Sequence, residues 1–104
     1  MSATDEPGSP ASRPEVTDHP DRKRYEVAVD GAVAGYAAYE MSSGTIVFTH
    51  TVIEPAFEGR GLGSAVARYA LDDARRRGLT VVPRCPFIRR FIERHPHYAD
   101  LLRS

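Results

Sequence analysis

Three absences limit what this 104-residue sequence can be. It has one cysteine, so no disulfide can form within the chain, and a reducing cytoplasm is the expected location. It has no run of about 20 apolar residues, so no membrane-spanning helix is expected. The start of the chain lacks the apolar stretch of a secretory signal peptide, which predicts that none is present.

Strong positive charge is also missing. The formal net charge is zero, although residues 1–22 carry −3 and residues 23–104 carry +3. A mildly basic domain suits a small anionic ligand, whereas no nucleic-acid-binding motif is present and no partner of that class is predicted. The four histidines and one cysteine are scattered, which predicts no metal site.

Residues 1–22 lack the apolar side chains of a core. They hold four prolines and five acidic residues, with Met1 and Val16 as the only sizeable aliphatic side chains. Such a segment cannot bury enough apolar surface to offset the entropy lost on ordering. We therefore predict a disordered, acidic, proline-rich tail over residues 1–22 and one folded domain over residues 23–104.

The sequence does contain a clear order of strands and helices. The patterns that predict them lie at residues 24–30, 32–41, 45–53, 61–77, 79–82 and 86–95. The first three have strand character and are joined by short turns, one of them Asp30-Gly31, which predicts an antiparallel meander. The fourth strand follows a helix and is predicted to lie parallel to the third. The predicted fold class is α/β (α+β): a compact three-stranded antiparallel meander plus a parallel fourth strand, with two main helices.

Apolar spacing predicts which side chains of these elements are buried. In the third strand, alternation places Ile46, Phe48, His50 and Val52 on one face. In the helices, the i, i+3, i+4 spacing predicts two buried stripes. Their members are Leu62, Ala65, Val66, Tyr69 and Ala70 in the first helix, and Phe87, Ile88, Phe91 and Ile92 in the second.

Glycines alternate at positions 59, 61 and 63, between the third strand and the first helix. A strand, a glycine-rich turn and a helix together present backbone N–H groups and a helix N-terminus to an anion. The spacing matches neither the P-loop nor the dinucleotide-binding fingerprint. The alternative is that the glycines only allow a tight turn from strand to helix.

Three segments resemble motifs of a known family. The sequence V-I-E-P-x-x-x-G-x-G-L-G-S-A-V at 52–66 resembles motif A of the GNAT superfamily, the acyl-CoA-dependent N-acetyltransferases. The stretch F-T-H-T-V-I at 48–53 and the tail V-V-P-R-C-P-F-I-x-x-F-I-x-x-H-P-x-Y-x-x-L at 81–101 look like those of its small, single-domain, cysteine-containing group. The resemblance covers residues 24–102.

This resemblance implies an enzyme that moves an acetyl group from acetyl-CoA, its co-substrate, to an amine. The pyrophosphate would lie on the backbone N–H groups of residues 58–63 and the pantetheine arm along the third strand. The residues implied for CoA binding are Val52, Ile53, Glu58, Gly59, Arg60, Gly61, Leu62, Gly63 and Ser64. Glu58 departs from the superfamily pattern, in which Gln or Arg is usual. A carboxylate that points inward there would oppose the phosphates, and Arg60 would compensate.

Cys85 and His50 are the candidate catalytic residues. Cys85 precedes a helix start and adjoins Arg84, and both features lower the pKa of a thiol; the alternative is a small buried hydrophobe. His50 is either a boundary residue or a base. If the third and fourth strands are neighbours, both side chains open near one crevice.

The resemblance allows two mechanisms and leaves an alternative function open. The amine attacks the thioester directly, with His50 as base, or Cys85 first takes the acetyl group. Full-length GNAT domains wall the acceptor site with a helical segment between their first strands, which the turn at Asp30-Gly31 replaces. The amine acceptor is therefore unspecified. A monomer is expected. The alternative function is that of a non-enzymatic acyl-CoA-binding or protein-interaction module.

Overall fold

Five strands in the described part of the chain form one mixed sheet. The computed structural model describes residues 13–102. Its strands are β1 (Glu15–His19), β2 (Arg24–Val29), β3 (Ala32–Ser42), β4 (Thr45–Ile53) and β5 (Thr80–Pro83), and its helices are α1 (Leu62–Arg76) and α2 (Pro86–Arg94). Short 3-10 segments lie at Pro55–Phe57 and Pro96–Leu102.

The sheet confirms the predicted topology and extends it by one strand. The strand order is β1-β2-β3-β4-β5; the first four are antiparallel and β5 is parallel to β4. β2 and β3 are joined directly through Asp30 and Gly31, which have φ angles of +53° and +81°. Two positive φ angles are those of the tight hairpin turn that an Asp-Gly pair favours, so no helical segment separates these strands.

The prediction of a disordered tail over residues 1–22 is wrong for Glu15–His19, which form the edge strand β1. This strand pairs with β2 through the main chain, and Val16 packs against the core. The carboxylate of Asp18 accepts a hydrogen bond of 2.6 Å from the Tyr39 hydroxyl. His19 also contacts Glu26 at 3.3 Å. The segment is thus held by backbone pairing and polar contacts, which an inventory of apolar residues does not reveal. The remainder of that prediction, over residues 1–12, lies outside the described residues.

Both helices and the C-terminal 3-10 segment pack on the same face of the sheet. The Tyr25 hydroxyl of β2 donates a hydrogen bond to Asp73 of α1, and the Tyr98 hydroxyl donates one to Asp72. The core lies between the sheet and this layer. Its large buried members are Tyr25, Val27, Tyr39, Ile46, Phe48, Val66, Leu71, Val81, Ile88, Phe91, Ile92 and Tyr98.

The two helix stripes are confirmed in part. Tyr69 is 42% exposed, and α1 buries the carboxylate of Asp73 among its apolar residues. In α2, Phe87 is 39% exposed, whereas the other three predicted members are buried. Asp73 is buried because Tyr25, Arg76 and Arg77 supply it with partners, which sequence periodicity cannot show.

A β-bulge in β4 reverses the face on which its later side chains lie. Tyr39 of β3 pairs with Phe48, but the preceding Ala38 pairs with His50, so Thr49 has no partner of its own. An extra residue of this kind shifts the alternation by one position. Ile46 and Phe48 accordingly lie in the core, while His50 and Val52 are exposed. The prediction that all four share one face is therefore wrong beyond Phe48.

Candidate functional site

A cavity of about 380 Å³ lies where the end of β4, the glycine turn and the start of α2 meet. Its lining combines backbone of the turn with apolar and hydroxyl side chains, and Glu58 is the only lining residue that titrates. The lining residues are Thr51, Ile53, Phe57, Glu58, Gly59, Gly61, Leu62, Gly63, Ser64 and Phe87. Such a cavity has the character of a small-molecule site, mostly apolar with a few polar groups.

The first turn of α1 faces this cavity without a side-chain cap. Gly61 occupies the N-cap position in the left-handed conformation, with φ +74°, and makes no side-chain cap hydrogen bond. No acidic residue lies in the first turn. The first N–H groups of a helix have no partner within it and carry the positive end of its dipole. The cavity therefore has an electropositive wall made of main chain.

The three glycines have two different structural roles. Gly59 and Gly61 have φ angles of +83° and +74°, a region that side chains other than glycine rarely adopt. Gly63 has an ordinary helical backbone, but a Cβ there would lie 2.8 Å from the Phe87 ring. Gly63 thus allows the aromatic ring of α2 to pack directly on the start of α1.

Strands β4 and β5 separate beside the cavity. Their pairing ends with Phe48 opposite Pro83, and the Cys85 N–H donates the last hydrogen bond, 2.9 Å long, to the Phe48 carbonyl. β4 continues to Ile53 with β3 as its only partner strand in the described residues, so its edge towards β5 is unpaired there. Side chains of Thr51 and Ile53 then line the cavity in the gap that β5 leaves. Unpaired strand backbone of this kind can bind an extended ligand as an additional strand would.

Cys85 lies at the inner side of this gap, as the N-cap residue of α2. Its side chain is 2% exposed, and its Sγ is 3.2 Å from Thr51 Oγ1. Its carbonyl accepts the first helical hydrogen bond, from the Arg89 N–H at 3.0 Å. The sulfur is therefore next to a helix N-terminus, where a negative charge is stabilised.

The two predicted catalytic residues lie on opposite faces of the sheet. Neighbouring strand residues point to opposite faces, and Thr51 contacts Cys85. The His50 ring instead lies against the Tyr36 ring at 5.8 Å, and its Nδ1 is 3.2 Å from Thr49 Oγ1. The expectation that both open near one crevice fails, because the bulge at Thr49 turns His50 away.

Most of the residues predicted to bind CoA line the cavity, but two do not. Val52 lies on the outer face, 36% exposed, and the Arg60 guanidinium lies 5.4 Å from the Phe57 ring centre. The cavity also includes three residues that sequence reasoning missed: Thr51, Phe57 and Phe87. Phe57 falls inside the recognised motif and could have been found; Thr51 depends on the bulge and Phe87 on contact between the two helices.

Two further findings concern metal ions and membranes. Within residues 13–102, no group of three or more potential metal-ligating side chains comes together. No helix of the described chain has both the length and the apolar character needed to cross a membrane.

Comparison with known proteins agrees with this architecture. A family model described as GCN5-related N-acetyl-transferase matches residues 24–101. The NMR solution structure of a GCN5-like protein from Staphylococcus aureus is 18% identical, with a TM-score of 0.64 over 84% of this chain and 85% of that one. The crystal structure of ribosomal-protein-alanine N-acetyltransferase from Brucella melitensis biovar Abortus 2308 is 16% identical, with a TM-score of 0.54 over 78% of this chain and 61% of that one. No curated protein sequence matches.

Proposed function

Because the chain belongs to the GCN5-related N-acetyltransferase family, we propose that it transfers an acetyl group from acetyl-CoA to an amine. The observation that carries this proposal is the N-terminus of α1, which has no side-chain cap, follows Gly61 and opens onto the cavity. A pyrophosphate supplies the negative charge and acceptor oxygens that such a helix end favours.

The proposed CoA pose follows the shape of the site. The pyrophosphate lies on the N–H groups of residues 59–63, because the Glu58 N–H already donates to the Pro55 carbonyl at 3.3 Å. The pantetheine arm runs along the unpaired edge of β4 beside Ile53 and Thr51. The acetyl group then reaches the gap between β4 and β5, near Cys85. In this pose Arg60 contacts the phosphates only after its guanidinium leaves the Phe57 ring, and Val52 contributes no side chain.

We propose that the acetyl group passes through Cys85, because Cys85 adjoins the gap whereas His50 lies on the other face. Sγ forms a bond to the acetyl carbon, the bond from that carbon to the CoA sulfur breaks, and the thiol proton ends on the CoA sulfur. The amine then attacks the acetyl-cysteine, giving the amide and returning the thiol. Direct attack on acetyl-CoA, with His50 as base and strand N–H groups at the oxyanion, is the competing route.

The amine acceptor is open to several classes. The direct turn at Asp30 and Gly31 leaves no helical wall between β2 and β3. Small amines, polyamines and protein amino groups are all admitted by such an open side. Acetyl transfer to a panel of these amines, with CoA release measured in parallel, tests the proposal; CoA binding without transfer to any of them would contradict it.

One observation favours the alternative of a non-enzymatic acyl-CoA-binding module. In the proposed pose Glu58, the only residue of the cavity lining with an ionisable side chain, lies beside the pyrophosphate, so the lining supplies no base at the acetyl end. This alternative predicts CoA binding by calorimetry, no acetyl-enzyme and no transfer above the uncatalysed rate.

The first prediction concerns Cys85. Mixing the wild type with acetyl-CoA alone and weighing the intact protein after an acid quench should show the added mass of one acetyl group. Cys85→Ala should show none and should lose transfer at least about a hundredfold, because the nucleophile is gone. His50→Ala is the matched comparison and should lose much less. Full transfer by Cys85→Ala would remove the covalent route in favour of direct attack.

A second prediction concerns Glu58, an exposed carboxylate that lines the proposed phosphate site. Glu58→Gln should tighten CoA binding about three- to tenfold, because a negative charge beside the pyrophosphate is removed. Glu54→Gln removes the same charge from an exposed residue outside the lining and is the control. Calorimetric titration with CoA measures both, and equal affinities in the two variants would show that the phosphates lie elsewhere.

A further inference from the structure

Thr51 is the side chain that connects the cavity to the buried thiol. Its residue lines the cavity, and its Oγ1 is 3.2 Å from Cys85 Sγ. Cys85 itself is 2% exposed and is absent from the lining. A ligand that enters along β4 therefore meets Thr51 before it meets the sulfur.

The bulge at Thr49 is the reason that a hydroxyl lies at this place. Without the extra residue, the alternation of β4 would turn His50 inward and Thr51 outward. With it, Thr51 points towards α2 and reaches the N-cap residue of that helix. The bulge therefore places the Thr51 hydroxyl, rather than the His50 imidazole, next to the Cys85 thiol.

The sulfur has no other hydrogen-bonding side chain beside it in the described residues. Cys85 is the N-cap residue of α2, but its side chain makes no cap hydrogen bond. Thr51 supplies the one side-chain hydrogen bond found for Sγ across residues 13–102. A hydroxyl can donate to a thiolate, and a hydrogen bond to a charged partner is stronger than one between neutral groups.

We propose that Thr51 is a positioning residue of this site: its hydroxyl donates a hydrogen bond to Cys85 Sγ and holds the sulfur at the inner end of the cavity. This rests on the proposed function for the role of Cys85 in acetyl transfer. The sulfur carries a negative charge after it loses its proton and before it bonds to the acetyl carbon. The Thr51 hydroxyl and the first turn of α2 stabilise this charge. Thr51 takes no part in making or breaking covalent bonds.

Alkylation of Cys85 by iodoacetamide, followed by intact mass, tests the contact without acetyl transfer. Valine keeps the branched shape of threonine and removes the hydroxyl, so Thr51→Val should react about tenfold more slowly than the wild type at neutral pH. Thr51→Ser keeps the hydroxyl and should react within about twofold of the wild type. Thermal melting verifies that each variant is folded, and Thr51→Ala replaces the valine variant if that one is not.

The proposal is overturned if the wild-type thiol does not react in the folded protein. It is also overturned if Thr51→Val reacts as fast as the wild type, or if Thr51→Ser reacts as slowly as Thr51→Val. If acetyl transfer is found, Thr51→Val should lower kcat more than it raises KM for acetyl-CoA. If no amine is acetylated, the proposed function fails, yet the alkylation series still decides the role of Thr51.

Discussion

Replacing Ser64 with aspartate is expected to weaken CoA binding at least about tenfold without destabilising the fold. Ser64 lines the cavity and is the third residue of α1, a first turn without acidic residues. An aspartate there repels the pyrophosphate and competes for the N–H groups that would bind it. In the free protein the same carboxylate favours the helix N-terminus by about 0.3–1 kcal/mol. Affinity and stability should therefore change in opposite directions, which a misfolded variant cannot produce.

Ser64→Asn is the matched control for this experiment. It has nearly the size of the aspartate variant without its charge, and it should bind CoA within a fewfold of the wild type. Calorimetric titration with CoA gives the affinities, and thermal melting without ligand gives the stabilities. Unchanged CoA affinity in Ser64→Asp would place the pyrophosphate away from this helix end and would remove the main support for the proposed pose.

Replacing Asp73 with alanine is expected to cost about 3 kcal/mol of the free energy of unfolding. Asp73 is 5% exposed. Its carboxylate accepts hydrogen bonds from the Tyr25 hydroxyl at 2.5 Å, from Arg77 at 3.2 Å and from Arg76. Without it, the hydroxyl of the fully buried Tyr25 loses the acceptor of its hydrogen bond inside the core. A domain of this size has only about 5–15 kcal/mol in total, so the melting temperature should fall on the order of 10–20 °C.

Asp100→Ala is the control for the loss of an acidic residue. Asp100 forms an exposed ion pair with Arg75 at 2.9 Å, and exposed pairs contribute little because water screens them. Urea unfolding followed by circular dichroism measures both variants. If both variants lose a similar, small amount of unfolding free energy, water replaces the carboxylate beside Tyr25 in Asp73→Ala.

The same carboxylate should make the fold sensitive to acid, together with Glu26. Burial raises the pKa of both groups, but the Arg24 hydrogen bond to Glu26 and the Tyr25 and Arg77 hydrogen bonds to Asp73 outweigh it and leave each pKa below its ordinary value. A lowered pKa contributes stability above the unfolded value, 4.5 for Glu26 and 3.8 for Asp73. That stability is lost as the pH falls through the lower folded values. Asp73→Asn should therefore show a shallower loss of unfolding free energy below pH 4 than the wild type.

Much of the fold could be predicted because it depends on local patterns. The alternation in β4, the Asp30-Gly31 turn and the proline at the start of α2 each specify their element from neighbouring residues alone. The glycine turn was identified in the same way, and its place at the N-terminus of α1 is confirmed. The fold class therefore followed from these patterns, and the family from the resemblance of three segments to its motifs.

The site was predicted less completely, since its side chains are placed by non-local contacts. His50 and Thr51 lie on the faces opposite to those that strict alternation predicts, because β4 has an extra residue at Thr49 where it pairs with β3. The register of this pairing depends on both strands, so the sequence of β4 alone does not show it. Gly63 was assigned to the phosphates, but its close neighbour in the protein is Phe87, which comes from another helix. Neither relation leaves a signal in the spacing of one segment.

The sequence by itself determined the order of the elements and the glycine turn, because periodicity and turn chemistry act between residues a few positions apart. It indicated the family through the resemblance of its motifs. Only the tertiary structure decided that β1 joins the sheet, that Asp73 is buried with partners, and that Thr51 rather than His50 contacts Cys85. Each of these depends on which distant segment lies opposite, where hydrogen-bond register and packing select one arrangement among several that the local pattern allows.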